Sequence, residues 1–317
     1  LIDWDDIPND PIYQLTFPQA GMLDGSDFLR LEDMVVRGEE GERLRRLVHD
    51  IHVRMNPNPA AQKILNVPKV DGERVLGCQQ KYRETVLFFP VQGQTCHAYC
   101  TYCFRWPQFI GVKDLRFAAR NIDDLVRYLE EHPEVTDVLI TGGDPMVMSA
   151  PLLRKTIEPL LAPSLGHVQS IRLGTKSLAF WPYRYLTDND ADDVLRLFDE
   201  VRTKGRQLAF MAHFSHPREL GTETVASAMR RVLDTGAVIR TQAPVIRHVN
   251  DRPEVWSEMW RRQVALGAVP YYLFVARDTG PKQYFQIPLA RTLRSFLLTI
   301  SSVSPKRPRR SECPMSV

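Results

Sequence analysis

The chain has 317 residues, 44% of them apolar and 25% charged, with a net charge of +3. These values exclude an intrinsically disordered chain, and no run of about 18 apolar residues predicts a membrane-spanning helix. The charge is local. Lys306, Arg307, Arg309 and Arg310 stand against Glu312 in the basic tail 304–317, so the remainder is neutral overall and carries no nucleic-acid footprint.

Taken in order, residues 1–80 predict a mostly helical N-terminal extension. Asp5, Asp6, Pro8, Asn9, Asp10 and Pro11 mark an irregular start. Phe28 to Met55 reads as one helix, with Leu44, Leu47, Val48 and Ile51 at i, i+3, i+4, i+7 spacing. Asn56-Pro57-Asn58-Pro59 stops it, and Ala60 to Leu65 adds a short helix.

From Val86 the pattern changes to alternating strands and helices. The strands are Val86–Pro90, Asp137–Thr141, Ser170–Leu173, Gln207–Phe214, Val238–Val245 and Tyr271–Val275. Helices are expected at 121–131, 150–161, 187–203, 222–235, 253–266 and 289–302. Such alternation predicts parallel strands joined by right-handed crossovers. The fold class is therefore α/β, a partial (β/α)6 TIM-type barrel over residues 81–303 with the helical extension before it. In that architecture the loops after the strands converge on one mouth. Every chemistry-bearing stretch below falls in such a loop.

The first of them is Cys96-His97-Ala98-Tyr99-Cys100-Thr101-Tyr102-Cys103. Three thiols so close cannot all pair as disulfides, but they can hold one soft-metal centre. On a 4Fe-4S cluster they leave one iron without a protein ligand. The alternative is a zinc-stabilised binding protein, with Cys78 or His97 as the fourth ligand. Clustered cysteines and the absence of a signal-peptide pattern predict a cytoplasmic, reducing environment. The second stretch is Gly142-Gly143-Asp144-Pro145, where a strand runs into a backbone able to approach a ligand closely.

With these two motifs the chain resembles the radical S-adenosylmethionine (SAM) superfamily. Over residues 80–290 it resembles the lysine 2,3-aminomutase-like branch. That likeness rests on Lys81-Tyr82-Arg83, Ile171-Arg172-Leu173-Gly174-Thr175, His216-Pro217-Arg218-Glu219, Val249-Asn250-Asp251 and Pro270-Tyr271-Tyr272-Leu273, in order. The resemblance implies that Cys96, Cys100 and Cys103 bind the cluster. It implies that Gly142, Gly143, Asp144, His213, Gln242 and the aromatic Tyr102 surround SAM. It matches Arg105 to a substrate carboxylate and Asp251 to a substrate amine. The implied substrate is an amino acid or amine, undergoing a 1,2-amino shift begun by hydrogen abstraction. An electron donor such as flavodoxin or ferredoxin is implied as partner, and a homo-oligomer stays open.

Two features depart from that branch. Aminomutases also use pyridoxal 5′-phosphate (PLP), anchored by a lysine in a glycine-rich stretch. After the sixth strand this chain has only Lys282 and Lys306, neither among glycines. Arg277 stands where the lysine enzyme places an aspartate for the far amine, which favours an acidic or neutral substrate. The same fold running radical chemistry without PLP is therefore the second reading.

Overall fold

A computed structural model describes residues 1–56, 64–108 and 116–303 of the chain. The short helix expected at 60–65 and the basic tail 304–317 fall largely or wholly outside them.

Among the described residues the N-terminal part holds three α-helices, where one long helix over 28–55 was expected. Helix α1 (Pro11–Thr16) arises in the stretch expected to be irregular, because Asp10 caps it through its carboxylate on the N–H groups of Ile12 and Tyr13, both at 2.8 Å. The helix expected over 28–55 is split into α2 (Gly25–Val36) and α3 (Glu42–Arg54). The break lies at Gly38 and Gly41, whose φ angles of 68° and 80° belong to the left-handed region that ends helices. A two-stranded hairpin, β1 (Lys69–Val70) and β2 (Glu73–Arg74), follows.

The main sheet has seven strands in sequential order. Strand β3 (Cys78–Tyr82), which the alternating pattern does not reveal, pairs antiparallel with β4 (Thr85–Phe88). From β4 onward every pairing is parallel: β5 (Asp137–Ile140), β6 (Ser170–Thr175), β7 (Gln207–His213), β8 (Val238–Val245) and β9 (Val269–Val275). These six are the strands expected, and the sheet is the open partial barrel.

Helices α4 (Asp123–Glu131), α5 (Ala150–Ile157), α6 (Ser177–Phe180), α7 (Ala191–Thr203), α8 (Glu223–Asp234) and α9 (Pro253–Ala265) connect them. Strands β4, β5 and β6 alternate strictly in burial. Val86, Phe88, Val138, Ile140, Ile171 and Leu173 pack into the main core, which also holds Leu125 and Leu129 of α4 and Val194, Phe198 and Val201 of α7. The opposite faces stay half-buried because the barrel is not closed. There Arg172 Nε donates to Asp137 Oδ1 (2.8 Å) and Thr85 Oγ1 donates to Asp137 Oδ2 (2.9 Å), a polar cluster at the N-terminal ends of the strands.

Strand β9 ends the sheet. It is exposed or half-buried along its whole length, and after it come α10 (Lys282–Phe285) and α11 (Leu289–Val303), the latter packed on α9. No helix among the described residues is long and apolar enough to cross a membrane.

Candidate active site

Strand β4 feeds, through a short turn at Val91–Gly93, into the loop bearing Cys96, Cys100 and Cys103. All three are free thiols. The loop is pinned from several sides. Thr95 O accepts the Asp144 N–H (2.8 Å) and Gly93 O accepts the Gly143 N–H (3.0 Å). Thr101 donates its N–H to Leu15 O (3.0 Å) and its hydroxyl to Gln14 O (2.7 Å), so α1 grips the loop. The Tyr102 hydroxyl lies 3.0 Å from Ser215 Oγ, and Trp106 Nε1 donates to Thr279 Oγ1 (3.2 Å) beyond β9.

The glycines after β5 have a structural reason that their local sequence does not state. A Cβ on Gly143 would overlap the Thr95 carbonyl, and one on Gly142 would overlap the Gln94 side chain and the Gly93 carbonyl. Gly142 also has φ 147°. The two glycines let the β5 loop press against the cysteine loop, backbone to backbone. Asp144 then locks the floor. Its carboxylate accepts from the Met146 N–H (2.9 Å), the Lys176 N–H (2.7 Å) and Thr175 Oγ1 (2.7 and 2.8 Å).

Burial pushes the Cys96 thiol up, with the Asp144 charge adding to it. Burial also raises Cys100 to about 12, against the lowering effect of Lys176, and Cys103 to about 11. Without a metal these groups stay protonated at neutral pH, so a metal centre forming here must release protons. Backbone N–H groups already point at the sulfurs: Ala98 toward Cys96 (3.4 Å), and Arg105 and Trp106 toward Cys103. Such donors stabilise thiolate ligands of an iron–sulfur centre.

The three cysteines therefore fit a 4Fe-4S cluster with one open iron. They suit a single zinc ion less well. The one group of single-ion ligand atoms within 4.8 Å of one another, among the described residues, is Cys96, His97 and Asp144, and that Asp144 carboxylate is already saturated by donors. Cys78 is fully buried in the main core on β3.

Across the mouth, His213 and Gln242 sit side by side in the β7–β8 register, with Gln242 Nε2 2.6 Å from His213 Nε2. Burial lowers His213 to about 3, helped by the charges of Lys176 and Arg105. The imidazole is therefore neutral, and its Nε2 accepts from the Gln242 amide. Beside it Lys176 forms a buried ion pair with Glu219 (2.6 Å), while Glu219 Oε2 accepts the N–H groups of Ser215 (2.5 Å) and His216 (3.1 Å). Glu219 closes the block His216-Pro217-Arg218-Glu219 and Lys176 follows Ile171-Arg172-Leu173-Gly174-Thr175, but nothing in either stretch says that the two residues meet. The signal for their pairing is position, since both residues lie after parallel strands.

Arg105 stacks over Phe89 at 4.4 Å and lies 5.2 Å from the centre of Phe104. Burial lowers its pKa to about 10. Arg277, after β9, reaches the same Phe104 ring at 5.9 Å. Asp251 stands apart from these groups. It accepts from Arg291 of α11 (2.9 Å) and lines a cavity of 720 Å³ with Arg218, Arg252 and His248, and no cysteine borders that cavity. Lys282 is exposed at the start of α10, and Lys306 lies outside the described residues.

No protein-family model matches the chain. A protein of Aquifex aeolicus provisionally named L-lysine 2,3-aminomutase is 30% identical over 294 residues, covering 92% of this chain and 66% of that protein. The L-lysine 2,3-aminomutase of Bacillus subtilis is 25% identical, covering 92% of this chain and 64% of its own. The glutamate 2,3-aminomutase of Clostridioides difficile is 27% identical over 60% of this chain and 42% of its own. The chain thus spans about two thirds or less of the length of these curated relatives. Among solved structures, a radical SAM methyltransferase of Sphaerobacter thermophilus aligns over 91% of this chain and 94% of its own, with 14% identity and a TM-score of 0.47. The sequence relatives extend along nearly the whole chain, and the chain belongs to the lysine 2,3-aminomutase-like family of radical SAM enzymes.

Proposed function

We propose that this protein cleaves SAM reductively and begins a hydrogen-abstraction reaction on an amino acid or amine, with a 2,3-aminomutase-type shift as outcome. One observation supports this above the others. Three free thiols share a loop that is bonded to a glycine turn, at the end of the sheet where His213 and Gln242 also stand. Cys96, Cys100 and Cys103 would hold the 4Fe-4S cluster, which with SAM bound would supply the 5′-deoxyadenosyl radical.

The chain's own residues do the rest. Gly142 and Gly143 keep the two loops in contact, and Asp144 fixes the turn after β5 to Thr175 and Lys176. Neutral His213, held by Gln242, offers an uncharged polar edge to the adenosyl group. Tyr102 buttresses the loop through Ser215. Arg105 presents a cation beside Cys103, the charge that a substrate carboxylate needs. Asp251 would receive a substrate amine only by leaving Arg291. We read residues 1–80 as an extension that steadies the cysteine loop through α1, 81–303 as the catalytic barrel, and a reduced flavodoxin or ferredoxin in the cytoplasm as the electron source.

The test is anaerobic reconstitution with iron and sulfide, then dithionite and SAM, with detection of 5′-deoxyadenosine. The product should form, Cys100→Ala should abolish it, and Cys78→Ala should leave it unchanged. Zinc without iron in the purified protein, and no 5′-deoxyadenosine, would defeat the proposal. A second reading, radical chemistry without PLP, is favoured by the exposed position of Lys282. A PLP absorbance band bleached by borohydride would remove it.

A further inference from the structure

Lys176, after β6, and Glu219, after β7, meet at 2.6 Å with side chains 6% and 0% exposed. Among the described residues no other ion pair has both side chains less than one-tenth exposed. Taking two charges out of water is costly, and apolar residues of similar volume often serve stability as well or better. Packing alone is therefore a weak reason for the pair, and its surroundings supply another.

The pair reaches the cysteine loop from two sides. The Lys176 N–H donates to Asp144 Oδ2 (2.7 Å), and the Asp144 N–H donates to Thr95 O (2.8 Å), one residue before Cys96. Glu219 Oε2 accepts the Ser215 N–H (2.5 Å), and the Ser215 hydroxyl lies 3.0 Å from that of Tyr102, between Cys100 and Cys103. Lys176 Nζ also lies 3.4 Å from His213 O and 4.6 Å from the centre of Phe180. The ammonium is thus fixed and shielded from water, so its field on the thiols is weakly screened. Burial is the main influence on Cys100, Lys176 the next, and Glu219 opposes Lys176 more weakly.

One-electron reduction of a cluster on Cys96, Cys100 and Cys103 adds one negative charge to this loop. A fixed cation beside it favours the reduced state, and a fixed anion favours the oxidised state. We propose that Lys176 raises the reduction potential of the cluster, and that Glu219 holds the ammonium in place while offsetting part of its field. The pair then sets how readily an external one-electron donor charges the site. The inference rests on the radical SAM reading. Both are positioning residues, acting by charge and not as ligands.

The experiment is an anaerobic redox titration of the reconstituted protein without SAM, in low-potential viologen mediators, read from the electron paramagnetic resonance signal of the reduced cluster. No turnover enters. In a protein interior a unit charge about 10 Å away shifts such an equilibrium by about tenfold. At a fixed potential Lys176→Met should therefore lower the ratio of reduced to oxidised protein by about tenfold, or about 59 mV for a one-electron couple. Glu219→Gln should raise that ratio by at least about threefold, and Lys176→Arg, which keeps the charge, should stay within about threefold of the parent. Each single loss leaves a buried charge unpaired. The double variant Lys176→Met with Glu219→Leu covers the case where those proteins do not fold, and it should still lower the ratio by about threefold, because Lys176 outweighs Glu219 at the thiols.

Opposite shifts from Lys176→Met and Glu219→Gln are the signature of charge. A loosened loop that admits water would move both the same way, and that result overturns the inference. So do unmoved potentials in the double variant, or a Lys176→Arg protein that shifts as far as Lys176→Met. A parent protein that takes up no iron and sulfide defeats the radical SAM reading and this inference with it, whereas a loaded parent whose variants keep its potential defeats this inference alone.

Discussion

Lys176 Nζ lies 2.6 Å from Glu219 Oε1, and both side chains are almost wholly removed from solvent. The pair joins the loop after β6 to the turn after β7. It sits against the cysteine loop, close enough for Lys176 to pull down the pKa of Cys100. Lys176 also packs on Phe180 at 4.6 Å. A buried charge with one partner removed is far more costly than the intact pair. Lys176→Met and Glu219→Gln are each expected to destabilise the protein by about 3–5 kcal/mol, and Lys176→Met with Glu219→Leu should recover part of that loss. Urea unfolding of the three variants measures it. Additive single losses in the double variant would contradict the pairing.

The contact between the glycine turn and the cysteine loop should be sensitive to one methyl group. Gly143→Ala places a Cβ on the Thr95 carbonyl, and backbone atoms on both sides must move. The displaced loop should keep less than about half of the iron after reconstitution, because ligand positions tolerate only small shifts. Far-UV circular dichroism should stay unchanged. Iron and sulfide analysis per chain decides the point, and full loading would show that the packing is dispensable.

His213 and His216 give a signed pH dependence. Burial lowers both, His213 to about 3 and His216 to about 4, with nearby cations adding to the effect. Unfolded histidines titrate near 6.5. Above that value neither state binds the proton, and the stability is complete. Between about 6.5 and 4 the unfolded chain binds protons that the folded chain refuses, so stability falls as pH falls. Each histidine contributes a slope of about 1.4 kcal/mol per pH unit in that window. Replacing either with Asn should flatten the curve of stability against pH by about that amount, as read from urea midpoints at pH 7 and pH 5. An unchanged slope would show that the imidazole is not held neutral.

The N-terminal grip can be loosened at Asp10. Its buried carboxylate caps α1, accepts the Asp3 N–H (2.9 Å) and pairs with Arg218. Burial alone would raise its pKa, but these donors outweigh it and hold the carboxyl below its usual value. Asp10→Ala should cost about 1–3 kcal/mol. It should also speed proteolysis within residues 1–20, since α1 would lose its cap while Thr101 kept only its bonds to Gln14 and Leu15. Timed protease digestion with mass spectrometry would detect this.

The sequence by itself determined the barrel. Six apolar runs separated by amphipathic helices leave little choice, because each strand must bury one face under a helix, and Val86, Val138 and Ile171 do so. The spacing of Cys96, Cys100 and Cys103 likewise puts three thiols in one place, since proximity along the chain enforces proximity in space. The break between α2 and α3 has a local cause in Gly38 and Gly41, which favour the left-handed region, but the apolar period over Leu44 to Ile51 masks it and reads Phe28 to Met55 as one helix.

Only the tertiary structure decided what long-range contacts decide. Strand β3 (Cys-Gln-Gln-Lys-Tyr) is too polar to announce itself and pairs along the edge that β4 offers it. The glycines of the β5 loop serve the neighbouring cysteine loop, a purpose that no local pattern encodes. Lys176 meets Glu219 across 43 residues, and Arg105 meets Arg277 over one phenylalanine ring. Such pairings are fixed by the curvature of the sheet, which brings loops from distant strands to one mouth, and one-dimensional spacing does not carry that curvature.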